Sequence, residues 1–240
     1  MTRALLLPLL VVWLAAGCAG SSSNNSTSAA ATRPSQPTRL LVAATLNEPK
    51  TLAARIIAQS GSSLSLSRRL FNADLALLDD QSNPYPYLAE ELPQLNTDGW
   101  KVFPDGKMET TYHLRPNLVW HDGTPLTADD FVFSLQVYNT PDVGQAASFP
   151  MKIMADVQAP DDRTVLIHWN QSYAAAGALQ SLGNSGPQGL PPMSRSILGP
   201  ALETGAQALI NNPYWTTGYV GLGPYRLDRW EPGAFLEASA

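Results

Sequence analysis

The order of apolar and polar residues along the chain predicts strands separated by helices and turns. Residues 39–45 form an apolar run typical of a buried strand, and 75–78 and 164–169 are further runs of strand type. Apolar and polar residues alternate in 109–115, which predicts a half-buried strand. Residues 223–230 follow a Gly-rich turn and are predicted as another strand.

One helix is predicted with well-defined ends. Thr127 can cap its first turn, where Asp129 and Asp130 suit the positive end of the helix dipole. Pro141 should stop the helix, because proline cannot continue it. Three apolar residues share one face of this helix: Phe131, Leu135 and Tyr138.

The connecting segments carry turn residues. Pro104-Asp105-Gly106-Lys107 predicts a hairpin turn, and residues 160–163 predict a turn before the strand at 164–169. Residues 83–87, with two prolines, predict a rigid turn, and 51–71 are a weaker helical region. Strands and helices mixed in this way indicate an α/β or α+β fold.

The first residues have the composition of an export signal. In residues 1–17, Arg3 supplies a positive start and residues 4–16 form an apolar stretch with small residues at its end. A membrane-spanning helix needs about 20 apolar residues, so this stretch is too short to be one. Residues 19–38 contain Ser, Asn, Thr, Ala and Pro, and we expect a disordered tether there.

Cys18 is the single cysteine of the chain, which excludes an internal disulfide bond. Residues 14–18 resemble the bacterial lipobox, in which cleavage precedes a cysteine that carries diacylglycerol. Ala15 departs from that pattern, since a larger apolar residue usually stands three positions before the cysteine. The arrangement predicts lipidation of Cys18 at the start of the tether, residues 18–38. The alternative is an ordinary signal peptide, residues 1–17, beside an unmodified cysteine.

Composition excludes several classes of function. Only 15% of the residues are charged, the net charge is −5, and the basic residues are scattered, so the chain lacks a nucleic-acid-binding footprint. His113 and His168 lie in predicted strands without a second metal ligand at short spacing, and no metal site or cofactor is expected. The sequence contains no P-loop, dinucleotide fingerprint or Gly-x-Ser-x-Gly elbow.

His121 and Asp122 are the residues that could support catalysis. Together with Asp129 and Asp130 they could form a general acid–base group in a secreted hydrolase. The same residues are also explained by a turn at Asp122-Gly123 followed by the helix cap. We therefore predict that they are structural and that the chain is not an enzyme, and keep the hydrolase as the alternative.

Residues 99–135, the signature segment, carry the most specific pattern. It reads GWKVFPDGKMETTYHLRPNLVWHDGTPLTADDFVFSL. This segment closely resembles the signature of the family 5 extracellular solute-binding proteins, the oligopeptide-, dipeptide- and nickel-binding components of ABC importers. The family-signature residues, to which we assign structural roles, are Trp120, His121, Asp122, Gly123, Thr127, Asp130, Gly223, Pro224 and Tyr225.

The resemblance extends over most of the chain. Residues 47–52 are similar to the family's opening motif, although Ala53 replaces its usual acidic residue. Residues 87–93 and 157–169 are also similar to family stretches. Residues 221–227 resemble the family's Gly-Pro-Tyr motif, with Leu222 in place of a small residue. Trp230 and Pro232-Gly233, which follow this motif, also resemble the family pattern.

The resemblance implies a class II periplasmic-binding-protein clamshell. Residues 39–58 and 151–240 would build the first lobe of a solute-binding domain that begins at residue 39, and 59–150 an extra subdomain. Family members usually run to roughly 500 residues or more, so the second lobe would be missing and the chain a fragment of a longer product.

The resemblance also implies a binding function. The chain would capture oligopeptides or a related solute outside the cell membrane, anchored there through Cys18, and deliver them to an ABC permease. The expected ligand-binding residues are Asn47, Glu48, Pro49, Lys50 and Thr51; alternatively, Pro49 merely ends a strand. A regulator with this binding fold would need a helix-turn-helix ahead of it, where this chain has a signal and a tether.

Overall fold

The computed structural model describes residues 40–55, 65–143, 149–180 and 189–240. Residues 1–44 and residues 45–240 form two separate units. Cys18, the signal sequence and the whole predicted tether lie outside the described residues.

The described residues of the first unit, 40–44, do not form the predicted strand. Leu40, Leu41 and Val42 are more than 80% exposed. The prediction of a buried strand at 39–45 is therefore wrong for its described part.

In the second unit, the irregular residues 45–55 precede helix α1, Ser65–Phe71, and a ribbon of two antiparallel strands. Strand β1, Ala76–Leu78, pairs with β2, Pro84–Pro86. The rigid turn predicted at residues 83–87 is thus mostly a strand. Prolines are tolerated there because each strand of a two-stranded ribbon has one edge without a partner strand, and a residue facing that edge has no N–H donor to supply.

A four-stranded antiparallel sheet follows. Its strands are β3, Trp100–Val102; β4, Met108–His113; β5, Met154–Asp161; and β6, Thr164–Trp169, in the order β3-β4-β6-β5. The hairpin predicted at 104–107 joins β3 to β4, and Gly106 has a φ of +83° that glycine adopts without strain. The strands predicted at 109–115 and 164–169 are confirmed as β4 and β6.

Helix α2, Ala128–Asn139, packs against β5 and β6. The three side chains predicted to share a face, Phe131, Leu135 and Tyr138, are all buried. The helix ends before Pro141, as predicted, and short 3-10 turns follow at Pro141–Val143 and Met151–Ile153.

The last third of the described chain contains two helices and a hairpin. Helices α3, Arg195–Thr204, and α4, Ala206–Ile210, lead to a 3-10 turn at Pro213–Trp215. Strands β7, Arg226–Glu231, and β8, Phe235–Ser239, form an antiparallel hairpin. The strand predicted to begin at residue 223 begins three residues later, because 223 and 225 bond to the end of α1 instead.

One hydrophobic core runs through the second unit, from Leu52 to Trp230. The four-stranded sheet takes two strands from each side of the boundary predicted at residue 150. That boundary therefore crosses a sheet, and the division of the chain into a lobe and a subdomain stays a prediction.

Candidate ligand-binding site

The predicted ligand-binding segment, residues 47–51, is irregular and mostly exposed. Asn47, Glu48 and Lys50 are exposed, Pro49 is half-buried, and Thr51 is buried. The main-chain groups of residues 47–49 make no hydrogen bond to main-chain groups of other described residues. An exposed segment with unpaired main-chain groups can pair with an extended ligand.

Glu48 is fixed by the hairpin of β7 and β8. Its carboxylate accepts the indole N–H of Trp230 at 2.8 Å and the main-chain N–H of Gly233 at 3.0 Å from each oxygen. The hydrogen bond from Trp230, and then that from Gly233, hold the pKa of Glu48 below its usual value. Glu48 is therefore a contact between the segment and the hairpin.

The other end of the segment is fixed by Asn72, which follows α1. The Asn72 amide donates to the Leu52 carbonyl at 2.7 Å and accepts the Ala54 N–H at 2.9 Å. The hydroxyl of Tyr219 also donates to the Asn72 side-chain oxygen. Thr51 turns inward as well, since its hydroxyl accepts the Ala53 N–H at 3.1 Å.

Arg55 is a buried cation next to the segment. Its guanidinium donates to the Phe149 carbonyl at 2.9 Å and lies 5.7 Å from the centre of the Tyr138 ring. Burial lowers the pKa of Arg55, but arginine stays protonated at neutral pH. The guanidinium therefore joins residue 55 to the chain around residue 149.

Asp130 is the centre of the signature segment. Its carboxylate is buried and accepts the Trp120 indole N–H at 3.3 Å, the Thr127 N–H at 3.0 Å and the Arg195 N–H at 2.9 Å. Burial raises the pKa of Asp130, and these hydrogen bonds oppose the rise. Trp120 is 3% exposed, as predicted for a packing residue. Asp130, predicted as an acidic residue of the first turn of α2, is thus an inward carboxylate that also binds the start of α3.

Ser134, one turn further along α2, makes a second connection to the chain before α3. Its hydroxyl donates to the Asp130 carbonyl at 2.7 Å and accepts the Met193 N–H at 2.7 Å. The side chains of Asp130 and Ser134 therefore bind main-chain groups at the start of α2 and at residues 193 and 195.

His121 connects the signature segment to the Gly-Pro-Tyr motif. Its main-chain N–H donates to the Gly221 carbonyl at 3.0 Å, and Nε2 lies 2.8 Å from the Gly223 carbonyl. The Gly221 N–H donates to Nδ1 at 3.3 Å. This pattern requires the proton on Nε2 and leaves neither ring nitrogen available as a general base.

Asp122 and Gly123 form the predicted turn. The Asp122 carboxylate accepts the N–H of Thr124 at 2.9 Å and its hydroxyl at 2.7 Å. Gly123 has a φ of +85°, which favours glycine. The contacts of Asp122 and the backbone conformation of Gly123 are those of a turn and not those of a catalytic site.

The Gly-Pro-Tyr motif packs directly on the end of α1. The N–H groups of Gly223 and Tyr225 donate to the carbonyls of Phe71 and Leu70 at 3.1 and 2.9 Å. A Cβ atom at Gly223 would lie 2.4 Å from the Leu70 carbonyl oxygen, and one at Gly221 would lie 2.0 Å from that of Phe71. Glycine is required at both positions by this close approach.

A small cavity opens beside Pro224. Its volume is about 120 Å³, and it is lined by Arg69, Asn72, Leu77, Leu78, Tyr85, Tyr87, Gln180 and Pro224. Pockets for small molecules usually measure about 300–1,000 Å³, so this cavity is too small for a peptide.

The structure places the predicted site residues in two groups. Residues 47–51 contact the β7–β8 hairpin through Glu48, and the family-signature residue His121 joins the turn before α2 to residues 221–223. The Asn72–Tyr219 hydrogen bond lies between the groups: Asn72 binds residues 52 and 54, and Tyr219 precedes the Gly-Pro-Tyr motif. Sequence reasoning missed Asn72 and Arg55, because neither belongs to a recognisable motif.

Metal sites and membrane spans are both absent from the part of the chain that the structure describes. Within these ranges, no three His, Cys, Asp or Glu side chains come together in a way that could hold a metal ion. None of the described helices has the length and apolar character needed to cross a membrane.

The chain matches a known family over most of its folded part. The model of the "Bacterial extracellular solute-binding proteins, family 5 Middle" matches residues 85–239. A Sinorhizobium fredii protein named "Probable peptide ABC transporter periplasmic-binding protein y4tO" is 28% identical over 92% of this chain and 36% of its own length. The "Probable D,D-dipeptide-binding periplasmic protein DdpA" of Escherichia coli is 30% identical over 66% of this chain and 31% of its own. The chain thus spans about a third of the length of these relatives.

Solved structures show the same fold. An oligopeptide-binding protein from Thermus thermophilus, complexed with a pentapeptide, has a TM-score of 0.63 at 22% identity, and the match covers 80% of this chain and 35% of that protein. NikZ from Campylobacter jejuni, in complex with Ni(L-His), has a TM-score of 0.60 at 21% identity, with coverage of 81% and 34%. The chain therefore has the mixed α/β fold of part of a class II periplasmic-binding protein.

Proposed function

Because the chain belongs to the family 5 bacterial extracellular solute-binding proteins, we propose that it captures an oligopeptide or a related solute outside the cytoplasmic membrane and delivers it to an ABC permease. The relatives named for peptide and dipeptide binding support this substrate class. Members of the family bind substrates for transporters and are not enzymes, and the engaged ring nitrogens of His121 give no support to the hydrolase alternative.

One observation carries the proposal for the site. Glu48 binds the β7–β8 hairpin and Asn72 binds residues 52 and 54, yet the main-chain groups of residues 47–49 are not paired with the described main chain. A peptide in extended form would bind these groups as an added strand does, and its side chains would then point alternately to and from the segment. Residues 47–51 would supply one wall of the ligand cleft.

The proposal includes the location of the protein. Relatives named as periplasmic support a position outside the cytoplasmic membrane. Cys18, lipidated and made the first residue by cleavage of the signal sequence, would anchor the protein there, and residues 19–38 would separate the folded part from the membrane surface.

The test is calorimetric titration of the full-length mature protein with three probes: pentaalanine, D-alanyl-D-alanine and Ni²⁺ with two equivalents of L-histidine. We expect saturable binding of at least one peptide probe. Binding of the nickel complex alone would redirect the substrate class from peptides to metal chelates. Absence of heat and of any thermal shift with all three probes would contradict the proposed function.

A further inference from the structure

Glu48 carries the only carboxylate in the proposed binding segment, and that carboxylate already has hydrogen-bond partners in the hairpin. It accepts an N–H of Trp230 at 2.8 Å and the Gly233 N–H at 3.0 Å. Trp230 is buried in the core, so its indole N–H has a fixed position. A carboxylate with two such donors is engaged within the protein, which leaves it poorly suited to bind the ammonium group of a ligand.

The two ends of the segment are fixed by different elements. Asn72 fixes residues 52 and 54 to the end of α1, through hydrogen bonds of 2.7 and 2.9 Å. Glu48 fixes the exposed end to the β7–β8 hairpin, 182 positions further along the chain. Between these two anchors the chain has no helix or strand that would hold its main chain in place.

The hairpin itself is held by the rest of the protein. Tyr225, immediately before β7, donates its N–H to the Leu70 carbonyl at 2.9 Å, and Trp230 packs into the core. A two-stranded hairpin is marginally stable alone, so these contacts and Glu48 define its position. Glu48 thus binds the hairpin, the hairpin binds the end of α1 through Tyr225, and Asn72, next to α1, binds residues 52 and 54. These contacts link the two ends of the segment through the rest of the protein.

We propose that Glu48 is a positioning residue: it does not contact the ligand, but holds the main chain of residues 47–51 in the form that binds an extended ligand. This inference rests on the proposed function of that segment. It follows that ligand binding should depend on Glu48 through the order of the segment. The order of the segment can be measured without any ligand.

The experiment measures hydrogen exchange by mass spectrometry in the unliganded full-length protein, for peptides that cover residues 49–55 and 230–235. Glu48→Gln should speed exchange in both by about three- to tenfold, the factor expected for the loss of one net hydrogen bond. Glu237→Gln, the same change on an exposed residue of β8, is the control and should leave both unchanged. Trp230→Phe, which removes the indole N–H, should speed exchange at residues 49–55 to a similar extent. In the Trp230→Phe protein, the further change Glu48→Gln should speed exchange by a smaller factor than it does in the wild type.

Titration with pentaalanine completes the test. Weaker binding by Glu48→Gln together with faster exchange supports the positioning role. Unchanged exchange at residues 49–55 overturns it: if binding is nevertheless lost, Glu48 is a ligand contact, and if binding is retained, Glu48 has no role. Should the wild-type protein bind none of the three probes, the proposed function is contradicted, while the exchange data still decide whether Glu48 holds the segment.

Discussion

At the scale of single residues, the polar side chains of the family motifs bind main-chain groups. Asp130 and His121 each contact main-chain atoms that are distant in sequence, and Asn72, outside the motifs, does the same. A buried polar group is costly unless its partners are present, so these contacts also make the local structure specific.

Asp130 provides the first prediction. Asp130→Asn should lower the free energy of unfolding by about 2–4 kcal/mol, because one amide oxygen cannot accept from Trp120, Thr127 and Arg195 together. Urea denaturation followed by circular dichroism measures the change. Asp129→Asn, in an exposed ion pair with Arg195, is the control and should change it by less than about 1 kcal/mol. Equal effects of the two substitutions would show that the buried hydrogen bonds do not matter.

Gly223 provides the second prediction. Gly223→Ala should destabilise the protein by about 1–3 kcal/mol, since its Cβ would lie 2.4 Å from the Leu70 carbonyl oxygen and main-chain atoms would have to move. Gly199→Ala in α3 is the matched control. Its nearest neighbour would be 3.8 Å away, so alanine should be neutral or stabilising there. Thermal unfolding compares the two, and a neutral Gly223→Ala would contradict the close approach described.

At the scale of elements, local pattern predicted a helix and two strands whose ends are marked by capping or turn residues. The helix ending before Pro141 and the strands β4 and β6 follow directly from apolar spacing and turn residues. The apolar run at 39–45 has the same local pattern, but its described part forms no strand. Strand pairing is a property of distant residues, and local pattern does not contain it.

The attachment of the hairpin provides a prediction at this scale. Hydrogen bonds lower the pKa of Glu48 in the folded protein, so its contribution to stability is present above the unfolded pKa, near 4.5, and is lost as the pH falls through the lower folded pKa. The difference in urea midpoint between wild type and Glu48→Gln should therefore be constant near neutral pH and shrink at acid pH. A difference that does not change with pH would contradict the charged hydrogen bonds.

The candidate site could be predicted only in part. Residues 47–51 were found through a motif, and Trp230 and Gly233 belong to another motif, yet nothing in the sequence joins the two. Their contact depends on the packing of Trp230 in the core. Asn72 and Arg55 were not predicted, because a buried polar residue is recognised by its partners and not by its neighbours in sequence.

At the scale of the whole molecule, the described residues cover about a third of each solved relative. Class II binding proteins enclose their ligands between lobes, and such sites use polar groups from both sides. In our proposal, residues 47–51 form one wall of this cleft and the hairpin supports that wall from behind.

Membrane attachment is a prediction for the whole protein. We expect the native protein to begin at Cys18 and to carry acyl chains on it, because a small-residue stretch precedes this single thiol and a polar tether follows. Two or more acyl chains, at about 0.8 kcal/mol per buried CH₂ group, would give stable anchoring. Mass spectrometry of the native amino terminus checks this. An unmodified Cys18, or cleavage at another position, would contradict it.

The central claim is that the main chain of residues 47–51 binds an extended ligand. The most direct measurement is amide hydrogen exchange, resolved by NMR spectroscopy, of the full-length protein with and without saturating pentaalanine. We predict slower exchange of amides within residues 47–51 on binding, with little change at the signature residues 120–123. Binding that leaves the amides of 47–51 unchanged and protects other residues instead would contradict this claim.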